Sequence, residues 1–403
     1  MKEAVFLQEV KEIQLLKNAL TLLDWDSSTG MPEKSSPFRG EVEGYLTGLY
    51  FERSIGPVIQ EALAYFETRP EELSELGKLV FEKVKEEYAL NKNVPAERMQ
   101  EYVKVLNQAH TDWLKARAAQ DFGLLEETLT KVVAFQKEFI PYWQKEEKTP
   151  YDVLLNQFEP GMTVEKLDQV FDQVKQGIQE IRTVLAEKGT PPRTDLLSRK
   201  MTNEQQRRFV IGVVEQLGYD FSKGRLDDTV HPFMTALNRN DARITTRWEE
   251  NNFSMATFGV IHEAGHGMYE QNFDPKFDFT PLSEGASMGI HESQSLFNEI
   301  IIGSNRAFWQ KQYPFFQECA EGTFDDIAFE DFYASLKETK ASLIRIDSDS
   351  LTYPLHIIIR YEIEKMLFNG SLEVADLPKV WNEKYQEYLG AVSYTHLRAH
   401  ETL

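Results

Sequence analysis

Residues 262–266 read His-Glu-Ala-Gly-His. Two imidazoles four positions apart on a helix lie on one face, one turn from each other. Both can then reach a single metal ion. Glu263 falls about 100° round the helix axis from His262, beside such an ion rather than on it. There its carboxylate can take a proton from a water that the metal polarises, which is the arrangement of a metallopeptidase. A catalytic zinc site also needs a third protein ligand and one open position. No cysteine is near, so the third ligand is His, Asp or Glu. The following segment, SEGASMGIHESQSLFNEI (283–300), offers Glu284, His291, Glu292 and Glu299. Periodicity does not choose among these four, and His291 rivals Glu292 because imidazole binds zinc well. With Glu292 as ligand, Ser295 would share its face and could orient a ligand from outside the coordination sphere.

The other histidines and the arginines add to one region. His231, His262, His266, His291 and His356 are five of the eight histidines. His110 stands alone in a helix and reads as structural. Arg239, Arg243 and Arg247 fall on or beside a strand-like segment, and Arg345 lies in the apolar run SLIRI. A guanidinium can hold a peptide's terminal carboxylate bidentately. The competing use is pairing with local carboxylates, which the apolar surroundings of Arg345 disfavour.

The elements that must carry these residues are mostly helices. Apolar residues recur at three- and four-residue steps from residue 3 to about 140, with a break at SSTGMPEKSSP (27–37). Within that span 58–67, 70–90, 95–118 and 123–146 read as helices, and 163–188 is a further one. Residues 202–218 read as another, with Thr202 as N-cap and Gly218 past the last turn. The pattern changes at 229–249, where β-branched and aromatic residues flank NRND (238–241); that predicts two strands joined by a turn. Helices follow at about 254–272, 284–303, 305–320, 328–342 and 351–368. Gly265 and Gly267 lie inside the first of these. Each glycine there costs about 1 kcal/mol relative to alanine, which predicts close packing against both.

Composition bounds the class. The chain has 403 residues, 41% hydrophobic and 27% charged, with 44 basic against 65 acidic side chains and a net charge of −21. It can bury a large core, and its acidic surface argues against nucleic acid or anionic lipid as partner. No apolar run approaches the ~18 residues of a membrane span. A single cysteine, Cys319, and the early mixed charges of MKEAVFLQEVKE predict a cytoplasmic protein without intrachain disulfides.

Several blocks together resemble the helical metallocarboxypeptidases of family M32, the carboxypeptidase Taq group. HPF is His231-Pro232-Phe233, DxRxT spans Asp241, Arg243 and Thr245, HExxH is 262–266, and HESQ is His291-Glu292-Ser293-Gln294. An IRxxAD-like block runs from Ile344 to Asp349, with Ser348 where the family has alanine; LLDWDSSTGMP (22–32) is similar to the family's WDxxTxMP segment. The resemblance runs from about residue 5 to 390. It implies a mainly α, gluzincin-type fold with a long substrate groove and a small β-sheet beside the metal helix. It implies metal ligands His262, His266 and Glu292, one Zn²⁺ or Co²⁺ per chain, and Glu263 as general base. It implies removal of single C-terminal residues from peptides with broad specificity, by a homodimer. Arg345, with Arg243, would hold the substrate's carboxylate, and His231 the developing oxyanion. A zinc endo-oligopeptidase, or a catalytically inactive truncated metal-binding fragment, is the alternative.

The resemblance stops near YLGA (388–391). The family continues to a GxxQDxHW motif, whereas VSYTHLRAHETL (392–403) matches nothing there and is similar to a translated adapter. One helical unit is therefore expected over 1–391, incomplete at its C-terminus, with 392–403 as a non-native tail and His396 and His400 without function.

Overall fold

The computed structural model describes residues 1–229, 231–345 and 348–390. The tail at 392–403, with His396 and His400, lies outside the described residues, as do Ile346 and Asp347 of the IRxxAD-like block. The chain, read above as one helical unit, divides into two compact units: Met1–Asn91 with Arg193–Leu336, and Lys92–Pro192 with Lys337–Leu403. The fold is mainly α with one three-stranded sheet.

The first unit begins with α1 (Glu3–Thr29), α2 (Ser36–Ser54), α3 (Pro57–Phe66) and α4 (Glu75–Lys92). Phe6, Val10 and Ile13 of α1 follow the helical repeat and close against Ile59, Phe66, Phe81 and Val84. The second segment of this unit opens with α9 (Asn203–Leu217); α5 to α8 belong to the other unit. Thr202 caps α9 reciprocally with Gln205, and Gly218 ends it at φ 113°. A cap of this kind contributes about 1 kcal/mol, and the positive φ is a conformation only glycine adopts freely.

The sheet follows. β1 (Leu226–Asp228) runs parallel to β3 (Asp241–Thr246), and β2 (Met234–Asn238) is antiparallel to it, giving the order β1-β3-β2. Ile244 stands opposite both Leu226 and Met234. The NRND turn is made as expected: Asn238 accepts from the Asn240 amide at 2.9 Å. β1 has only three residues, too few for an alternation to register in the sequence.

Next come α10 (Phe253–Gln271), α11 (Met288–Leu296), a π-helical turn at Phe297–Ile302, α12 (Arg306–Ala320) and α13 (Phe329–Ser335). Phe253, Val260, Ile261 and Ala264 share one face of α10 and pack with Phe209, Trp309, Phe316, Phe324 and Phe332. Burying each large apolar side chain of this cluster contributes about 1.5–3 kcal/mol. α13 stops well short of 342, because KETKAS (337–342) offers no apolar face to continue it.

The second unit holds α5 (Ala96–Ala119), α6 (Gly123–Trp143), α7 (Pro150–Phe158), α8 (Val164–Lys188), α14 (Tyr353–Phe368) and α15 (Leu377–Leu389). Leu125, Leu129, Leu355, Ile359, Trp381 and Tyr385 belong to its main core. α7, of nine residues, and α15, of thirteen, lie in stretches that the periodicity reading left unassigned. α7 did carry a signal, a capping box between Thr149 and Asp152 with Pro150 at the first turn. No helix among the described residues is long and apolar enough to cross a membrane.

Candidate metal centre

His262, His266 and Glu270 follow one another at four-residue steps along α10, so they form a single stripe. α11 and the π turn lay His291, Glu292 and Glu299 against it. The approach depends on Gly265. A Cβ there would meet the Gln294 carbonyl oxygen and the Ser295 Cα at 2.7 Å each, so α10 and α11 touch backbone to backbone. Gly267 does the same on the other side, where a Cβ would lie 2.6 Å from the Tyr219 ring and 3.5 Å from Ile244 of β3. Both close contacts expected from the two glycines are present.

One ligand atom each from His262, His266 and Glu292 lies within 4.8 Å of the other two. His262 Nε2 is 3.8 Å from Glu292 Oε1, and His266 Nε2 is 3.4 Å from Glu292 Oε2. Tetrahedral ligands with bonds of about 2.1 Å sit roughly 3.4 Å apart, so the donor set fits a zinc-like ion in both chemistry and spacing.

The other three candidates for third ligand are committed elsewhere. Glu284 pairs with Lys17. Glu299 Oε2 accepts from His262 Nδ1 at 2.7 Å. His291 uses both nitrogens, Nδ1 against His266 Nδ1 at 2.6 Å and Nε2 against Glu270 Oε1 at 2.8 Å. Ser295, expected to orient a ligand, instead donates its hydroxyl to the Glu292 backbone carbonyl at 2.7 Å. On a helix that local i−3 bond is the nearer acceptor.

Burial shapes the electrostatics. It pushes the Glu263 carboxyl up to about 7, with the charges of Glu292 and Glu299 adding and His262 opposing. Burial would lower His262, but the hydrogen bond and charge of Glu299 hold it above its ordinary value. His266 is lowered, by burial first, against the pull of Glu292. Glu263 is 8% exposed.

Residues 5–396 match the sequence model of the family described as Carboxypeptidase Taq (M32) metallopeptidase. The chain belongs to family M32. Among its relatives, Carboxypeptidase 1 of Bacillus subtilis (strain 168) is 44% identical over 393 residues, covering 98% of this chain and 78% of that protein. Thermostable carboxypeptidase 1 of Thermus thermophilus is 34% identical, covering 94% of this chain and 76% of its own length. The crystal structure of the M32 carboxypeptidase from Deinococcus radiodurans R1 superposes with a TM-score of 0.93 at 33% identity, covering 97% of this chain and 78% of that one. As an M32 metallopeptidase, the chain is a divalent-metal protein.

The arginines of this M32 chain divide. Arg243, expected at the substrate, forms a bidentate pair with Asp241 at 2.7 and 2.8 Å. Its guanidinium lies 5.5 Å from the Trp25 ring and lines a cavity of about 530 Å³ with Asp26, Arg207 and Arg225. Side chains alternate along a strand. Ile244 faces α10 across Gly267, so Arg243 emerges on the opposite face of the sheet. Arg239 pairs with Asp278 and Arg247 with Glu249. His231 is exposed on the β1–β2 connection. Arg345 belongs to the second unit, where it donates to the Tyr353 hydroxyl at 3.2 Å. Asp349 of the same block accepts from the Leu351 and Thr352 amides and fixes the turn into α14. The His110 ring lies 5.8 Å from Trp113, tilted by 35°.

Sequence reasoning missed Glu270 as a partner and left Glu299 only as a rival ligand. A signal existed for each: Glu270 is one turn beyond His266, and Glu299 is two turns beyond Glu292. Neither step could be trusted without knowing how close the two helices lie.

Proposed function

We propose that the chain is a metal-dependent carboxypeptidase that removes single residues from the C-terminus of peptides with broad specificity. The observation that carries this is the convergence of His262, His266 and Glu292 donor atoms beside the buried carboxylate of Glu263. A divalent ion held by those three, Zn²⁺ or Co²⁺ and one per chain, would supply a Lewis acid that polarises the scissile carbonyl and acidifies the attacking water.

The remaining steps belong to the chain's own residues. Glu263 accepts the proton from the attacking water and hands it to the leaving amine. Glu299 and the partners of His266 keep the imidazoles oriented toward Glu292. By its place in the IRxxAD-like block, Arg345 would hold the substrate's terminal carboxylate as a planar fork, which sets the exopeptidase register.

The same reading extends to peptide substrates rather than nucleic acid or membrane, a homodimeric assembly and a cytoplasmic compartment. The net charge of −21 supports the first and the single, buried Cys319 the last; the homodimer is carried over from the family resemblance.

Glu263→Gln keeps the ligands and removes the base. It should retain one metal per chain and lose at least about 10³-fold in kcat; turnover near wild type would overturn the mechanism. A C-terminally amidated peptide should be cleaved far more slowly than its free-acid twin. Equal rates would instead favour an endo-oligopeptidase.

A further inference from the structure

We propose that His291 is a positioning residue, the middle of a relay from Glu270 through His291 to His266 that selects which nitrogen of His266 faces the metal. The inference rests on the metal centre described above and assigns two residues outside its ligand set.

Proton counting gives the direction. The Glu270 carboxylate can only accept, and it lies 2.8 Å from His291 Nε2, so that nitrogen carries a hydrogen. In the neutral form that an ion on His266 Nε2 requires of it, His291 presents a bare lone pair at Nδ1. His266 Nδ1 stands 2.6 Å away, and two lone pairs cannot face each other at that distance. His266 therefore carries its hydrogen on Nδ1 and donates it to His291. Its Nε2 is left as a lone pair, 3.4 Å from Glu292 Oε2, where a metal ligand must have one. The opposite tautomer of His266 would put a hydrogen at that point and exclude the ion.

The ring of His291 is held for this task. A Cβ at Gly285 would sit 2.6 Å from its Cδ2. Tyr269 packs edge-on at 5.5 Å, and the His266 ring lies 4.5 Å away. Glu270 is buried, with 6% exposure, so water does not compete well for its acceptor. His262 reaches the same tautomer in one step, through Glu299 at 2.7 Å. The two histidine ligands are thus fixed by different lengths of chain, one bond for His262 and two for His266.

The test is Zn²⁺ affinity of the full chain, measured by competition with a chromophoric chelator. His291→Leu should weaken Zn²⁺ roughly 10–100-fold. His291→Gln should recover most of that loss, because its carbonyl accepts from His266 Nδ1 but offers no imidazole to a metal. Glu270→Gln, nearly isosteric, should also weaken binding, because its amide can turn an N–H toward His291 and invert the relay. Wild-type affinity in His291→Leu or in Glu270→Gln overturns the proposal, and so does equal loss in the Leu and Gln variants of His291, which would mark a packing role. If the unaltered chain bound no Zn²⁺, the metal centre itself would fall. Tight binding by the unaltered chain with no effect of the variants would sink the relay alone.

Discussion

The molecule has a buried polar cluster in each compact unit, and the two are built on opposite principles. In the second unit, Glu362 of α14 is gripped by Lys175 of α8 and by Lys384 and Tyr388 of α15. The side chains of Glu362, Lys384 and Lys175 are 14%, 16% and 19% exposed. Each carboxylate oxygen there meets donors, and the cluster closes on itself. In the first unit, three imidazoles and the carboxylates of Glu263, Glu270, Glu292 and Glu299 gather with acceptors in excess. Glu299 and Glu270 are consumed as partners of histidines. One nitrogen each from His262 and His266 and the Glu292 carboxylate converge, all within 4.8 Å of one another. Burial of charge is common to both clusters and does not mark a site. An unbalanced donor set does.

The largest expected effect comes from forcing the open cluster apart. Gly265→Ala places a methyl 2.7 Å from backbone atoms of α11, which cannot yield as a side chain would. The two helices must separate, and Glu292 leaves the histidine pair. Metal affinity should fall by more than the roughly 10–100-fold of an outer-shell change, read as metal retained per chain after dialysis. Full retention would show that the helices need not touch for the centre to form.

A smaller effect, of a different kind, is expected from the closed cluster. Glu362→Ala takes the carboxylate from Lys384 and leaves Lys175 only the exposed Asp172. Losing these charge-assisted bonds in a partly buried cluster costs about 1.5–3 kcal/mol, or roughly 3–12 °C in Tm, and metal content should stay unchanged. This cluster also sets an acid limit. Burial alone would raise Glu362, but its lysine and tyrosine partners win and hold it below its ordinary 4.5. A depressed carboxylate contributes stability above its unfolded value that is lost as pH falls through its folded one. His356 in the same unit acts at higher pH. Burial, with Arg360 and Arg345 adding, lowers it to about 4. Its unfolded form takes up a proton first, so its contribution is complete above pH 6.5 and drains away toward pH 4. Urea unfolding midpoints should therefore decline between pH 6.5 and 4 and fall further below 4.5. In Glu362→Gln the lower step should shrink while the upper one stays; an unchanged lower step would discard this cluster as its source.

The smallest effect concerns a residue that stands outside both clusters. Glu284→Gln removes only an exposed pair with Lys17, worth about 0–1 kcal/mol. Metal content and Tm should both stay close to wild type, measured on the same samples. Lost metal would place Glu284 in the centre after all.

Much of this was legible in the residues. The mainly helical fold, the strand pair around NRND, the cap at Thr202 and the αL residue Gly218 follow from local chemistry, because each depends on neighbours within four or five positions. The histidine pair and Glu263 are local in the same sense: one helix carries all three, and a period of 3.6 fixes their relative directions. The roles within 284–299 were not legible. Four residues there had suitable chemistry, and only the contact between α10 and α11 assigns Glu292 to the donor set, His291 and Glu299 to the imidazoles, and Glu284 to Lys17. The sequence by itself determined which atoms could bind a metal and the helix that carries two of them. Tertiary structure decided which carboxylate completes the set and which nitrogens face it. Those choices depend on the distance between two backbones, which a pair of glycines permits but does not by itself specify.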